Sequence, residues 1–189
     1  WYAISKIAGI KLCEALTLEY GFNSLALMPT NLYGPKDNYH PLNSHVMASL
    51  IRKFCTAKLS NQPEVLCWGS GRPLREFMHV DDLANAIIFI LKNWDLKSKY
   101  LKPKKNGQIL NYINIGTGQE ISIKDLSLKI ANIVGYEGQI SWDPTKPDGT
   151  PRKLLNSERI RNLGWKPEIK LSEGIEITVN DFMKNNIKV

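Results

Sequence analysis

Cysteine, histidine and long apolar runs are all scarce in this 189-residue sequence, and each shortage excludes a class of protein. The three cysteines, Cys13, Cys55 and Cys67, are odd in number and lack a Cys-x-x-Cys spacing. Neither a disulfide framework nor a zinc site is expected, and a reducing cytoplasm is the simplest home. His40 and His45 stand five apart with no third ligand, a poor metal site, so no metal is expected. The longest apolar run, residues 86–91, falls far short of the ~20 needed to cross a bilayer, so no membrane partner is expected. Internal repeats and low-complexity tracts are also missing, and no leader peptide is expected. The chain opens at Trp1-Tyr2 without methionine and enters a helical pattern within three residues, which reads as the back part of a longer protein.

A dinucleotide-binding unit begins with a strand, a glycine-rich turn and a helix, and none stands at this start. The nearest imitation is Gly116-Thr117-Gly118, but Ile121 occupies the third glycine position. A tight strand-to-helix turn is the reading there.

What is present suits a globular chain of one domain or one and a half: 43% hydrophobic and 23% charged residues. The net charge of +7 favours anionic partners, although much of it sits in residues 97–105, which read as a solvated loop. Apolar spacing near 3.6 predicts helices over residues 3–20, 44–57, 80–94, 122–134, 157–163 and 171–185. Asn43 or Ser44 is available to cap the second of these. Strands are expected at 24–28, where an almost wholly apolar run reads as buried on both faces, and at 64–68, 76–79, 111–115 and 139–142. Residues 144–154 read as irregular. This alternation predicts an α/β class.

Tyr2 and Lys6 are four apart, so on a helix they share one face. An ammonium beside a phenol favours its ionised form and makes it a usable proton donor or acceptor. Tyr2-Ala-Ile-Ser-Lys6-Ile-Ala-Gly9 resembles the active-site helix of the extended short-chain dehydrogenases that act on nucleotide sugars. Three further segments resemble that family in the correct order: Met28-Pro-Thr-Asn-Leu-Tyr-Gly-Pro35, Arg75-Glu-Phe-Met-His-Val-Asp-Asp82 and Asn114-Ile-Gly-Thr-Gly118. Within the superfamily, Asp37-Asn-Tyr-His-Pro-Leu-Asn-Ser-His45, Trp68-Gly-Ser-Gly-Arg-Pro-Leu-Arg75 and residues 146–155 are similar to the GDP-L-fucose synthases. The likeness covers essentially the whole chain.

The resemblance implies the rear part of a Rossmann-type parallel sheet, residues 1–40 and 76–95, beside a smaller α/β part for a GDP-sugar, residues 41–75 and 96–189. It implies NADP(H) as cofactor, a homodimer, and conversion of GDP-4-dehydro-6-deoxy-D-mannose to GDP-L-fucose by 3,5-epimerisation and 4-reduction. Tyr2 would give the proton to the C4 oxygen while NADPH supplies hydride. Lys6 would hold the nicotinamide ribose and keep Tyr2 ready to ionise. Pro29, Thr30, Asn31 and Leu32 would line the nicotinamide end, and His45, also at the cofactor, would be the acid of the epimerisation. Trp68 and Arg75 would grip GDP, with Asp148, Arg152 and Lys153 as further contacts. Lys53 stands where the family usually has arginine, which keeps the charge and loses the planar fork. The glycine-rich cofactor loop, the catalytic serine and the partner cysteine of the family have no counterpart, so the chain by itself is expected to be inactive.

Other residues read as structural. His79 falls in an apolar strand, and Asp81 and Asp82 at a helix start read as caps. Two alternatives stay open: another nucleotide-sugar epimerase or dehydratase, or a nonenzymatic basic module for anions or nucleic acid. Against the second, Tyr100 alone interleaves the basic stretch, and no nucleic-acid motif is present.

Overall fold

The computed structural model describes residues 1–94 and 111–185, so the basic stretch 97–105 lies outside the described residues. The first helix, α1 (Tyr2–Tyr20), stops where Gly21 adopts the left-handed conformation (φ 64°) that a side chain would strain. Ser24 then ties the following turn back to α1, its hydroxyl donating to the Cys13 carbonyl at 2.9 Å. Two short strands follow, β1 (Ala26–Pro29) and β2 (Asn31–Tyr33). The expectation of a strand buried on both faces fails for β1: its residues are half-buried or exposed. Among the described residues its one ladder partner is β5, and α1 buries none of its 19 residues.

The helix α2 (Val46–Leu59) buries Met47, Leu50, Ile51, Phe54 and Cys55, the 3–4 spacing of one apolar face. It starts after the expected caps. His45 holds the N-cap position without a side-chain bond, and in the preceding loop the Asn38 side-chain amide donates to the Asn43 carbonyl at 3.1 Å. Next come β3 (Glu64–Trp68), β4 (Leu74–His79) and α3 (Val80–Asn93), then β5 (Tyr112–Ile115), β6 (Glu120–Ser122) and α4 (Ile123–Val134). Ser122 caps α4, accepting the Asp125 amide at 3.0 Å while its hydroxyl donates to the Asp125 carboxylate. The chain closes with β7 (Gln139–Asp143), β8 (Arg152–Lys153), α5 (Glu158–Asn162) and α6 (Leu171–Asn185). Three strands escape the sequence pattern: β2, β6 and β8 are two or three residues long, too short to show alternation.

Pairing is mostly parallel. β1 runs with β5 and β3 with β7. β4 is the hub: its last residues pair with β2 in parallel, its first with β6 in antiparallel and with β8. The main core packs α2, α4 and α6 around Phe54, Ile130, Ile175 and Phe182. A smaller one joins Met78 and Ile90 to Ile113, Ile115 and Trp165.

Candidate functional site

The seven residues assigned to the tyrosine and cofactor roles come from three separate stretches, and the fold brings them together. Tyr2, Lys6, Pro29, Thr30, Asn31, Leu32 and His45 all line one cleft of about 1060 Å³. One turn of α1 stacks Lys6 over Tyr2, its Nζ 5.4 Å from the ring centroid. Thr30 and Asn31 are fixed from behind: the Thr30 hydroxyl and the Asn31 amide both donate to the Glu76 carbonyl, at 3.1 and 2.7 Å. His45 enters at the start of α2, exposed to solvent. The cleft thus pairs a phenol, an ammonium and an imidazole with an apolar wall that includes Ile7, Ile10, Leu27 and Phe77.

Of the residues expected at GDP, Lys53 and Trp68 line a pocket beside it, whereas Arg75, Asp148, Arg152 and Lys153 line neither that pocket nor the cleft. Val46 lines both this cleft and a smaller pocket of about 220 Å³ containing Lys53 and Trp68. Two ammoniums lie near the half-exposed Trp68 indole, Lys53 Nζ at 5.5 Å and Lys146 Nζ at 5.6 Å from the ring centroid. Lys53 also donates to the Leu66 carbonyl at 2.7 Å, and burial lowers its pKa from the usual lysine value. Arg75 donates to the Leu74 carbonyl, and its guanidinium lies against Gly149. Lys153 stands opposite Arg75 in the β4–β8 ladder. Asp148 takes the Ser70 hydroxyl and amide at 2.6 and 2.8 Å, bonds that hold its carboxyl below the usual range. Arg152 Nε donates to both oxygens of the Glu120 carboxylate, at 2.8 and 3.1 Å.

Sequence reasoning passed over Glu76. A charged residue in a strand reads as solvent-facing, yet Glu76 is fully buried. Its carboxylate accepts the amides of Gly118 (2.7 Å) and Leu155 (3.0 Å) and the Thr117 hydroxyl (3.3 Å). Gly116 is required by this approach, since a Cβ there would stand 2.4 Å from the Glu76 oxygen. The Gly116–Gly118 turn therefore holds a protein carboxylate where a pyrophosphate would need its amides, in line with the tight-turn reading. The expected capping pair also needs correction. The α3 cap is His79, whose Nδ1 accepts the Asp81 amide at 3.3 Å. Asp82 points the other way, buried, and receives the amides of Glu168 and Ile169 at 3.0 and 3.1 Å. A carboxylate near a helix start serves whichever amides the packing leaves unpaired.

With this geometry in place, similarity to known proteins decides the lineage. The model of the NAD dependent epimerase/dehydratase family matches residues 1–102. The chain belongs to this family. It is 49% identical over 187 residues to the probable GDP-L-fucose synthase 1 of Oryza sativa subsp. japonica, covering 99% of the chain and 53% of that protein. It is 48% identical to the GDP-L-fucose synthase of Escherichia coli (strain K12), covering 97% of the chain and 56% of that enzyme. Among solved structures, a GDP-mannoheptose C4 reductase from Campylobacter jejuni with NADP bound matches with a TM-score of 0.77 at 34% identity, over 94% of this chain and 58% of that one. The chain spans about half the length of the curated relatives it matches. Among its described residues no helix is long and apolar enough to cross a membrane.

Proposed function

We propose that this member of the epimerase/dehydratase family carries the proton-transfer and GDP-sugar-binding part of an NADPH-dependent enzyme that epimerises GDP-4-dehydro-6-deoxy-D-mannose at C3 and C5 and reduces it at C4, giving GDP-L-fucose. The observation that carries the reading is the convergence of Tyr2, Lys6 and His45 on one cleft that adjoins the Lys53/Trp68 pocket. The relatives' names and the NADP in the Campylobacter reductase support the substrate and the cofactor.

The residues present fit the nicotinamide-ribose end of NADPH. The apolar wall of Ile7, Ile10 and Leu27 suits a flat ring, and Lys6 is placed for ribose hydroxyls. When bound, NADPH supplies the hydride for C4. Tyr2 protonates the C4 oxygen as charge develops there. His45 moves a proton at the carbons flanking the ketone. Pro29, Thr30, Asn31 and Leu32 form the cofactor wall, steadied through the Glu76 carbonyl. Trp68 offers its face to the base, Arg75, Lys53 and Lys153 face the diphosphate, and Asp148 and Arg152 flank the sugar. Residues 1–40 and 76–95 form the cofactor part, and 41–75 and 96–189 the substrate part. The protein works in the cytoplasm as a homodimer, with exposed apolar residues of α1 such as Leu12 and Leu18 at the contact.

Two measurements test this. The chain should bind GDP saturably in calorimetry, and Arg75→Ala should weaken it by one to two decades, the worth of a charge-assisted bond of about 1.5 to 3 kcal/mol. Equal binding of UDP would defeat the GDP assignment. Joined to the front half of the Escherichia coli relative, the chain should consume NADPH on the 4-keto sugar, and Tyr2→Phe should lower that rate by about 10² to 10⁴. Unchanged turnover would remove Tyr2 from the chemistry.

A further inference from the structure

Residues 144–154, which carry Lys146, Asp148, Arg152 and Lys153, are all exposed. Apolar packing therefore does not fix the stretch that the proposed function sets against GDP, and its place depends on polar ties. At its front the Asp148 carboxylate takes the Ser70 hydroxyl and amide. In its middle the Pro151 carbonyl accepts the Leu74 amide at 2.9 Å, in the β4–β8 register that sets Lys153 opposite Arg75. Arg152 reaches the Glu120 carboxylate. Each of these ties has an exposed member, so water competes for it. The tie at the rear is different: the Leu155 amide donates at 3.0 Å to Glu76, which is fully buried.

Both oxygens of Glu76 are committed, and every partner donates. One oxygen takes the Gly118 amide and the Thr117 hydroxyl, and the other takes the Leu155 amide. A carboxylate satisfies both sides at once, whereas a carboxamide must turn its NH2 toward one of two backbone amides that can only donate. Side chains alternate along a strand, so Arg75 and Glu76 leave β4 on opposite faces. The Arg75 guanidinium lies against Gly149 of the exposed stretch, where a Cβ would stand 2.8 Å from Nη2, and Glu76 holds the end of that same stretch from inside. The Glu76 main chain serves the other half of the site, its carbonyl taking Thr30 and Asn31. A change of side chain breaks the first link and spares the second.

We propose that Glu76 is a positioning residue for the GDP diphosphate: its buried carboxylate, by holding the Leu155 amide, keeps residues 146–155 in place against Arg75 and Trp68, so that GDP affinity depends on a side chain that does not contact the ligand. The proposal rests on the reading of residues 146–155 as facing GDP. A segment held in its bound position before the ligand arrives need not be ordered on binding, and that ordering otherwise subtracts from affinity.

The test uses the 189-residue chain with Glu76→Gln and, separately, Leu155→Pro, which removes the donated proton at a half-buried site and leaves Glu76 its bonds to the Gly116–Gly118 turn. In calorimetry each should bind GDP about tenfold or more weakly, and the double variant should lose little beyond either single one, because both break the same tie. Ile130→Val, a truncation in the main core, should bind GDP like the parent, which separates lost positioning from lost stability. In native-state hydrogen exchange without GDP, Glu76→Gln should lower protection at Leu155 and also at Leu74 and Ser70, whose partners Pro151 and Asp148 lie further up the segment, by more than at the Phe54 amide in α2. Parental GDP affinity in both single variants overturns the proposal. So does a loss of protection confined to Leu155 and Gly118, which would make Glu76 a local fastening. If parent and variants alike take up no GDP, the GDP reading falls, and the exchange pattern alone decides whether Glu76 positions the segment.

Discussion

α1 and α2 are both rich in apolar residues, yet α2 buries seven of its 14 residues and α1 none of its 19. The difference lies in what each helix meets. α2 is gripped by α4, α6 and β3 around Phe54, whereas α1 faces β1 across the cleft with Ile4, Ile7, Leu12 and Leu18 open. Apolar content makes a helix capable of burial, and a partner surface decides whether burial occurs. The cleft straddles the two situations: Tyr2 and Lys6 ride on the bare helix, and His45 sits at the head of the packed one. Changes on the two sides should therefore separate folding from chemistry.

The sharpest way to break this comparison is a pair of truncations. Phe54→Ala should cost about 3 to 5 kcal/mol in denaturant unfolding, because the side chain is fully buried and leaves a cavity. Ile7→Ala, 58% exposed, should cost less than about 0.5 kcal/mol. Equal costs would mean that α1 is packed in solution. A smaller loss is expected at the seam. Glu76→Gln turns one accepting oxygen into a donor facing the amides of Gly118 or Leu155, and should cost about 2 kcal/mol in the same assay. The mildest probe leaves the sequence intact. Cys55 and Cys67 are buried, and burial pushes the Cys55 thiol up to about 12, so both should resist a thiol reagent at pH 8 while half-buried Cys13 on α1 reacts. One labelled thiol per native chain is the expected count, and three would show that the α2 core opens on the labelling timescale.

α2, α3, α4 and α6 were legible because each carries an apolar period over 12 to 15 residues, long enough to average out local exceptions. So was the grouping of Tyr2 with Lys6, which needs only one turn of helix. The cap of α2 was not, since whether Asn43, Ser44 or His45 starts the helix depends on the loop's own hydrogen bonds to Asn38 and His40. The roles of Asp82 and Glu76 were hidden for a related reason. Their partners are amides 86 residues and 42 to 79 residues away, and no local pattern announces an orphan amide that distant.

By itself the sequence determined the α/β alternation, the resemblance to nucleotide-sugar enzymes, and which side chains have the chemistry for proton transfer, because each of these is written in residue type and short spacing. Tertiary structure alone decided two other things: that residues 2, 6, 29–32 and 45 share a cleft, and that the Glu76 carbonyl steadies its wall while the buried Glu76 carboxylate holds the Gly116–Gly118 turn. Those outcomes depend on which distant amides, carbonyls and apolar faces close packing brings within a few ångströms, and hydrogen bonding and burial act over that range whatever the separation along the chain.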